Sequence, residues 1–319
     1  MSDTSSHGKD PMTATHVILA CDESGAKGYA DENNLNTDEI GIFAGIMVPS
    51  ELLPTVQLDF DQLVVRYASA DGKLHITDLS KEAQEALRND TYELIRKYKL
   101  PCFYEAIHVA GFNNAHRHVV DTVDAARRRR NSTVKMSANP VTSPSLHVML
   151  FEGVFSKVVA FCTERKKLQL HIEVRTDNVD EPIAKAFEEA ARKLTDYGAT
   201  VKKVTRFDTV TQKVMSGRVE VGPSPEAALP VTIENLELKT VDDSDGLVVA
   251  ADVLANSLNH LFKNHPDEER YTALNTPEAF VRHPLRECLD SFYNWQGYNF
   301  TDTYYGHPLA PAPRDESEE

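Results

Sequence analysis

Three carboxylates stand where this chain could do chemistry. Asp22 ends the apolar run Val17-Ile18-Leu19-Ala20-Cys21, Asp177 follows the run 168–174, and Asp252 lies inside Leu247-Val248-Val249-Ala250-Ala251-Asp252-Val253-Leu254-Ala255. Mg²⁺ and Mn²⁺ take hard oxygen ligands of this kind. Two such ions roughly 4 Å apart can hold both the attacking and the leaving oxygen of an in-line phosphoryl displacement. That chemistry needs carboxylates delivered by separate elements to one edge of a sheet. Each acid also has a plainer reading. Asp22 with Ser24 and Gly25 fits turn chemistry, and Asp177 could begin a turn or cap the helix whose first turn holds Pro182. An ionised Asp252 amid apolar neighbours is costly unless paired or metal-bound. Yet Asp252, Asn256, Asn259 and Lys263 recur at helical spacing, which is also the polar stripe of an ordinary amphipathic helix.

The elements that must position these acids can be read from apolar periodicity. The run 17–21 reads as a strand buried on both faces and stopped by Asp22-Glu23-Ser24-Gly25. A second strand, 40–48, closes at Pro49, after a long loop in which residues 22–39 set six acids against the single Lys27. A helix over 51–68 and a short strand over 73–77 follow, and Ser80 is the N-cap of a helix whose apolar face is Ala83, Leu87, Leu94, Ile95 and Tyr98. The pattern then gives a strand over 102–109, a helix apolar all round over 144–164, and a strand over 168–174. Pro182 opens a helix that stops at Gly198. Strands at 199–207 and 231–240 and a helix at 246–263 complete the series, and the chain after Pro266 is aromatic and irregular. Interleaved strands and helices predict one α/β domain over 14–306, with a central mixed sheet flanked by helices. An insertion is expected around 111–144, and polar, disordered ends at 1–13 and, acidic, at 307–319.

The 319 residues are 41% hydrophobic and 26% charged, the values of an ordinary globular protein. Lys and Arg number 34 against 49 Asp and Glu, a net charge of −15 that opposes a simple nucleic-acid binder. The bases are gathered, however, at Arg127-Arg128-Arg129-Arg130, at Arg165-Lys166-Lys167, and at Lys202-Lys203 with Arg206, so a local basic surface is compatible with the total. The run Arg127–Arg130 could track phosphates or simply solvate a helix end. His116 and His118 have no zinc spacing with cysteine, and packing onto the core is the simpler reading of the aromatic cluster 292–305. Cys21, Cys102, Cys162 and Cys288 form no C-x-x-C pair, which speaks against a zinc ribbon or a disulfide framework. No signal-peptide pattern and no apolar run of membrane-span length is evident, so the expected location is cytoplasmic, with no membrane partner. No P-loop, dinucleotide or nucleophile-elbow glycine motif is present.

Asp22-Glu23-Ser24-Gly25 at a strand end, followed by the strand Gly41–Pro49, resembles the N-terminal signature of the domain-of-unknown-function 3800 family. The segment 246–255, with Ala251-Asp252 inside it, resembles that family's C-terminal signature. Between them Lys73-Leu74-His75-Ile76-Thr77-Asp78-Leu79 and Val174-Arg175-Thr176-Asp177 are similar to two shorter motifs, and the whole resemblance spans about residues 15–265. It implies a ribonuclease H-like fold and a divalent-metal-dependent nuclease, with members resembling components of mobile elements or anti-phage defence. Carried over, Asp22, Asp177 and Asp252 are the implied Mg²⁺ or Mn²⁺ ligands, Glu23 an additional ligand or base, and His75 a proton shuttle or phosphate contact. The implied reaction is hydrolysis of DNA or RNA phosphodiester bonds by water that the ion activates. The long acidic loop before Ile40 and the insertion depart from the family pattern and leave the substrate open. Two other readings compete. One is a catalytically silent binding or regulatory module of the same fold, engaging a protein partner through its acidic loop or aromatic C-terminal segment. The other is a metal-dependent hydrolase of a small phosphoester.

Overall fold

The structure is a computed structural model that describes residues 14–25, 39–69, 74–129, 134–136, 145–177, 179–195, 200–221, 231–241, 244–265 and 273–290. The acidic loop, the aromatic cluster 292–305 and both chain ends lie outside the described residues. Strands β1 (Thr15–Gly25), β2 (Ile40–Pro49), β3 (Cys102–His108), β5 (Gln169–Thr176) and β8 (Thr232–Thr240) form one sheet in the order β3-β2-β1-β5-β8. The first three are antiparallel, and β1, β5 and β8 are parallel. A second, antiparallel sheet, β4-β6-β7, joins β4 (Val134–Met136), β6 (Thr200–Asp208) and β7 (Lys213–Val221). The molecule is thus a mixed α/β fold with a five-stranded mixed sheet flanked by helices.

Alternation along β1 divides the core. Ile18 and Ala20 join the apolar cluster under α1 (Leu53–Tyr67), α2 (Lys81–Tyr98) and α6 (Gly246–Lys263). Val17, Leu19 and Cys21 face the cluster of α4 (Leu146–Glu164) and α5 (Glu181–Thr195). A strand lying between two helical layers must be apolar on both faces, which is why 17–21 carries no alternation. The helix α4 has the length and composition of a membrane span, contrary to the expectation from uninterrupted runs, but 56% of that stretch is buried inside the molecule. Its Phe151 stacks with Phe187 of α5 and with Phe155 of α4 itself as core side chains. All four cysteines are unpaired thiols.

Local signals place most boundaries. Ser80 accepts a hydrogen bond from the Ala83 amide and caps α2, as its position predicts. The segment predicted as a strand over 73–77 is instead a 3-10 turn, Ile76–Asp78. The expectation fails for a physical reason: the Ile76 amide donates to Asp252 of α6 rather than to a neighbouring strand. The expected insertion contains helix α3 (Val109–Arg129), whose Val109 and Phe112 join the α4-side core, and strand β4. Strand β7 was not foreseen: its residues 213–218 are exposed, and no continuous apolar run marks the segment. The exposed edge of β3 is closed by Asn275, whose side chain accepts from the Ala106 amide and donates to the Ala106 carbonyl, mimicking a further strand. The Asn275 amide also donates to Glu105, which pairs with Lys157 of α4 at 2.9 Å in the space left by Gly153.

The segment 273–290, ending in α7 (Arg286–Asp290), is locked onto α2 and α6 by a buried histidine. The Leu285 amide donates to His283 Nδ1 at 3.1 Å, so Nε2 carries the proton and donates to Ser257 Oγ at 2.8 Å. Ser257 passes its own proton on to the Leu254 carbonyl. Burial, aided by the charge of Arg96, lowers the His283 pKa from 6.5 to about 4. The unfolded chain therefore binds a proton that the folded chain refuses between those two values, and stability falls as pH drops through that window. The gap corresponds to roughly 3 kcal/mol. Thermal melting followed from pH 7 to pH 4 should show this loss, and His283→Gln should flatten it; an unchanged slope in the variant would refute the assignment.

Candidate functional site

The parallel pairing of β1 with β5 ends at Cys21 and Thr176, which sets Asp22 and Asp177 side by side. Asp177 lies just past β5, but Asp22 does not stop its strand as expected, because β1 goes on pairing with β2 from Asp22 opposite Ala44 to Gly25 opposite Gly41. Strands in register lie about 4.8 Å apart. Alternation turns Asp22 toward α6, the face of Ile18 and Ala20, and α6 crosses β1 there with Asp252 in its second turn. Asp252 Oδ2 accepts the Ile76 amide at 3.4 Å, which brings the 3-10 turn and the preceding, exposed His75 to the same edge. The structure therefore gathers Asp22, Asp177, Asp252 and the His75 segment from four separate parts of the chain. Glu23 is directed differently. As the odd neighbour of Asp22 it faces α4, where His147 Nε2 stands 3.5 Å from its carboxylate. The His147 ring is held edge-on by Phe187, 4.9 Å between centroids, and lies beside Phe43.

Asp22 is 9% exposed, and burial pushes its carboxyl well above the usual carboxylate range. The charges of Glu23, Asp252 and Asp177 push it further in the same direction, while a backbone hydrogen bond from Glu23 works against them. The acids thus lie within one another's field. Among the described residues, however, no three His, Cys, Asp or Glu side chains are already closed around a point as a ready ligand set. The donor set is hard oxygen throughout, which fits Mg²⁺ or Mn²⁺ and not a soft thiolate metal.

The polar stripe of α6 does not simply face water. Asn256 accepts from Arg88 of α2 at 2.9 Å, and Asn259, 6% exposed, donates to Ser24 at 3.0 Å. Gly25 completes the strand end with φ +89°, and a Cβ there would come within 2.1 Å of the Ile40 carbonyl oxygen, so only glycine fits. Sequence reading had placed Asn256 and Asn259 on the stripe without partners, and it missed His147 and Arg88 altogether. A histidine in the first turn of an apolar helix was the only signal for His147. Arg127, Arg128 and Arg129 form the last residues of α3, with side chains outside the described residues; Arg130 is itself outside them.

What aims α6 is its N-terminus. Asp245 accepts the amides of Leu247 and Val248 as N-cap, and its other oxygen meets Arg175 of β5 at 3.1 Å. The Gly246 amide donates to Asp61 of α1 at 3.0 Å, where a Cβ would lie 2.4 Å from the Phe60 backbone. Compared with known proteins, the chain matches no protein-family model and no curated protein sequence.

Two outcomes follow from this geometry. A carboxyl whose pKa is raised on folding opposes folding increasingly as pH rises above its ordinary value of 3.8. In EDTA at pH 7, Asp22→Asn should therefore melt above wild type, and acidification should narrow the difference; a lower melting point would refute the repulsion. Asp245→Ala should destabilise by about 1–2 kcal/mol for the lost cap, and by more because Arg175 loses a partner. Denaturant titration measures it.

Proposed function

We propose that the chain is a divalent-metal-dependent nuclease of ribonuclease H-like fold. The observation that carries this reading is the convergence of Asp22, Asp177 and Asp252 at one sheet edge, with Asp22 buried among like charges. Such a site opposes its own folded state until a cation neutralises it. A mixed five-stranded sheet with helices on both faces is compatible with the ribonuclease H-like arrangement. Segments 22–25, 41–49 and 246–255 resemble the domain-of-unknown-function 3800 signatures, and the ligand roles of these three acids are carried over from that resemblance.

In this reading Asp22, Asp177 and Asp252 hold Mg²⁺ or Mn²⁺. When bound, the ion supplies positive charge at the scissile phosphodiester and activates water for attack. The Ile76 amide fixes the orientation of Asp252. His75, exposed and next to that amide in the chain, is the proton shuttle or phosphate contact in this reading. The Glu23 side chain meets His147 on the other face of the strand; its charge raises the Asp22 pKa while its backbone hydrogen bond lowers it.

The experiment is a cleavage assay with Mg²⁺ and with Mn²⁺ on single- and double-stranded DNA, RNA and hybrid. Wild type should cut at least one of them, and Asp22→Asn or Asp252→Asn should reduce the rate by about 10³-fold or more while retaining the native fold, the scale of losing a group that acts in the transition state. Full activity in either variant would refute the assignment. Mn²⁺ should also raise the melting temperature of wild type and leave Asp22→Asn unchanged. The competing reading, a silent binding module, predicts no Mn²⁺ response sensitive to Asp22.

A further inference from the structure

The second sheet has a charge opposite to that of the chain. Its strands and the 209–212 turn carry Lys135, Lys202, Lys203, Arg206, Lys213 and Arg218 against only Asp208 and Glu220, within a protein of net charge −15. One of those acids is engaged in the fold, since Asp208 accepts the amides of Val210 and Thr211 and shapes the turn. The register sets Lys203 directly opposite Arg218. Lys213 and Arg218 are exposed, and the hairpin end also presents Val210 at 73%, Val214 at 63% and Met215 at 47% exposure. Cations beside exposed apolar side chains on a β-ribbon suit a nucleic-acid groove better than plain solvent.

Topology ties this hairpin to the acid edge. Gly25 pairs with Gly41 and Ile40 with His108, so β3 ends at the edge where β1 carries Asp22. The segment after it leaves from that edge as α3 and returns there as α4, whose His147 meets Glu23. Between these, α3 ends in Arg127, Arg128 and Arg129, and β4 then pairs with residues 206–208 of β6, next to the hairpin turn.

We propose that the β4-β6-β7 sheet is a nucleic-acid-binding arm that grips the phosphate backbone of the strand presented to Asp22, Asp177 and Asp252. It rests on the nuclease reading for the purpose of that grip, but binding is measured apart from cleavage. The test compares wild type with Lys203→Glu/Lys213→Glu/Arg218→Glu in EDTA. Fluorescence anisotropy reads their binding of labelled single-stranded DNA, duplex DNA and single-stranded RNA from about 50 to about 200 mM KCl. Wild type should bind at least one probe with steep salt dependence. The variant should bind it at least 10-fold more weakly, with a salt slope smaller by about 2–3. If the triple variant does not keep the wild-type circular dichroism spectrum, Lys213→Gln/Arg218→Gln should still weaken binding about 3-fold or more. Undiminished binding with an unchanged slope overturns the proposal, as does a wild type that binds no probe or that prefers polyglutamate. Mn²⁺-dependent hydrolysis of bis(p-nitrophenyl) phosphate tests the other reading separately. Asp22-dependent hydrolysis with unaltered oligonucleotide binding in the arm variant would sink the arm and leave the nuclease. Weakened binding without any hydrolysis would do the reverse.

Discussion

One carboxylate, Asp245, satisfies two amides of the first turn of α6 and an arginine of β5 at the same time, while Gly246 beside it donates to Asp61 of α1. This joint ties a helix, a sheet and a second helix at one point. Its partners are themselves braced, because Arg175 also holds Glu173 at 2.6 Å and Gln57 at 2.8 Å, and Glu173 takes Lys239 from β8. Seven residues further along α6, Asp252 arrives over β1. A rigid helix converts a fixed start into a fixed position two turns later, so the acid edge inherits its geometry from this joint.

The same fold holds together groups that repel. Asp22 is buried beside Glu23, Asp252 and Asp177, and each of those charges makes its ionisation harder. Such an arrangement lowers stability and persists only when the surrounding structure over-determines it. Here the surroundings are extensive: thirteen of the eighteen residues of α6 are buried, and β2 is buried along nearly its whole length. Local conflict at one edge, supported by an uncompromised core, is the pattern on which the proposed function rests.

Charge is sorted in space as well as in sequence. The acids converge on the main sheet, whereas the second sheet is rich in Lys and Arg. A net charge of −15 therefore describes neither surface. A polyanion approaching such a molecule is repelled by most of it and attracted by one part, which favours a single orientation.

Much of this was legible before any coordinates. The continuous apolar run 17–21 announced a strand covered on both faces, Ser80 and Pro182 marked helix starts, Asp22 and Asp252 were conspicuous by their apolar company, and Asp177 by its place after a strand. Those signals are local: they depend on the period of side chains and on chain ends. The strand expected at 73–77 failed because its amide is taken by Asp252, 176 residues away in sequence. Strand β7 escaped because its exposed stretch 213–218 makes no continuous apolar run, whereas the basic cluster at 202, 203 and 206 and the strand that carries it were legible. The parting of Asp22 from Glu23 onto opposite faces follows from the strand period, but the arrival of His147 beside Glu23 and of Arg88 beside Asn256 does not. Sequence by itself determined most of the strands and helices and placed Asp177 just past one of them, since short-range sterics and burial decide those. Only the tertiary structure decided that three of the acids share an edge, because strand order and helix docking are set by contacts between residues far apart in the chain.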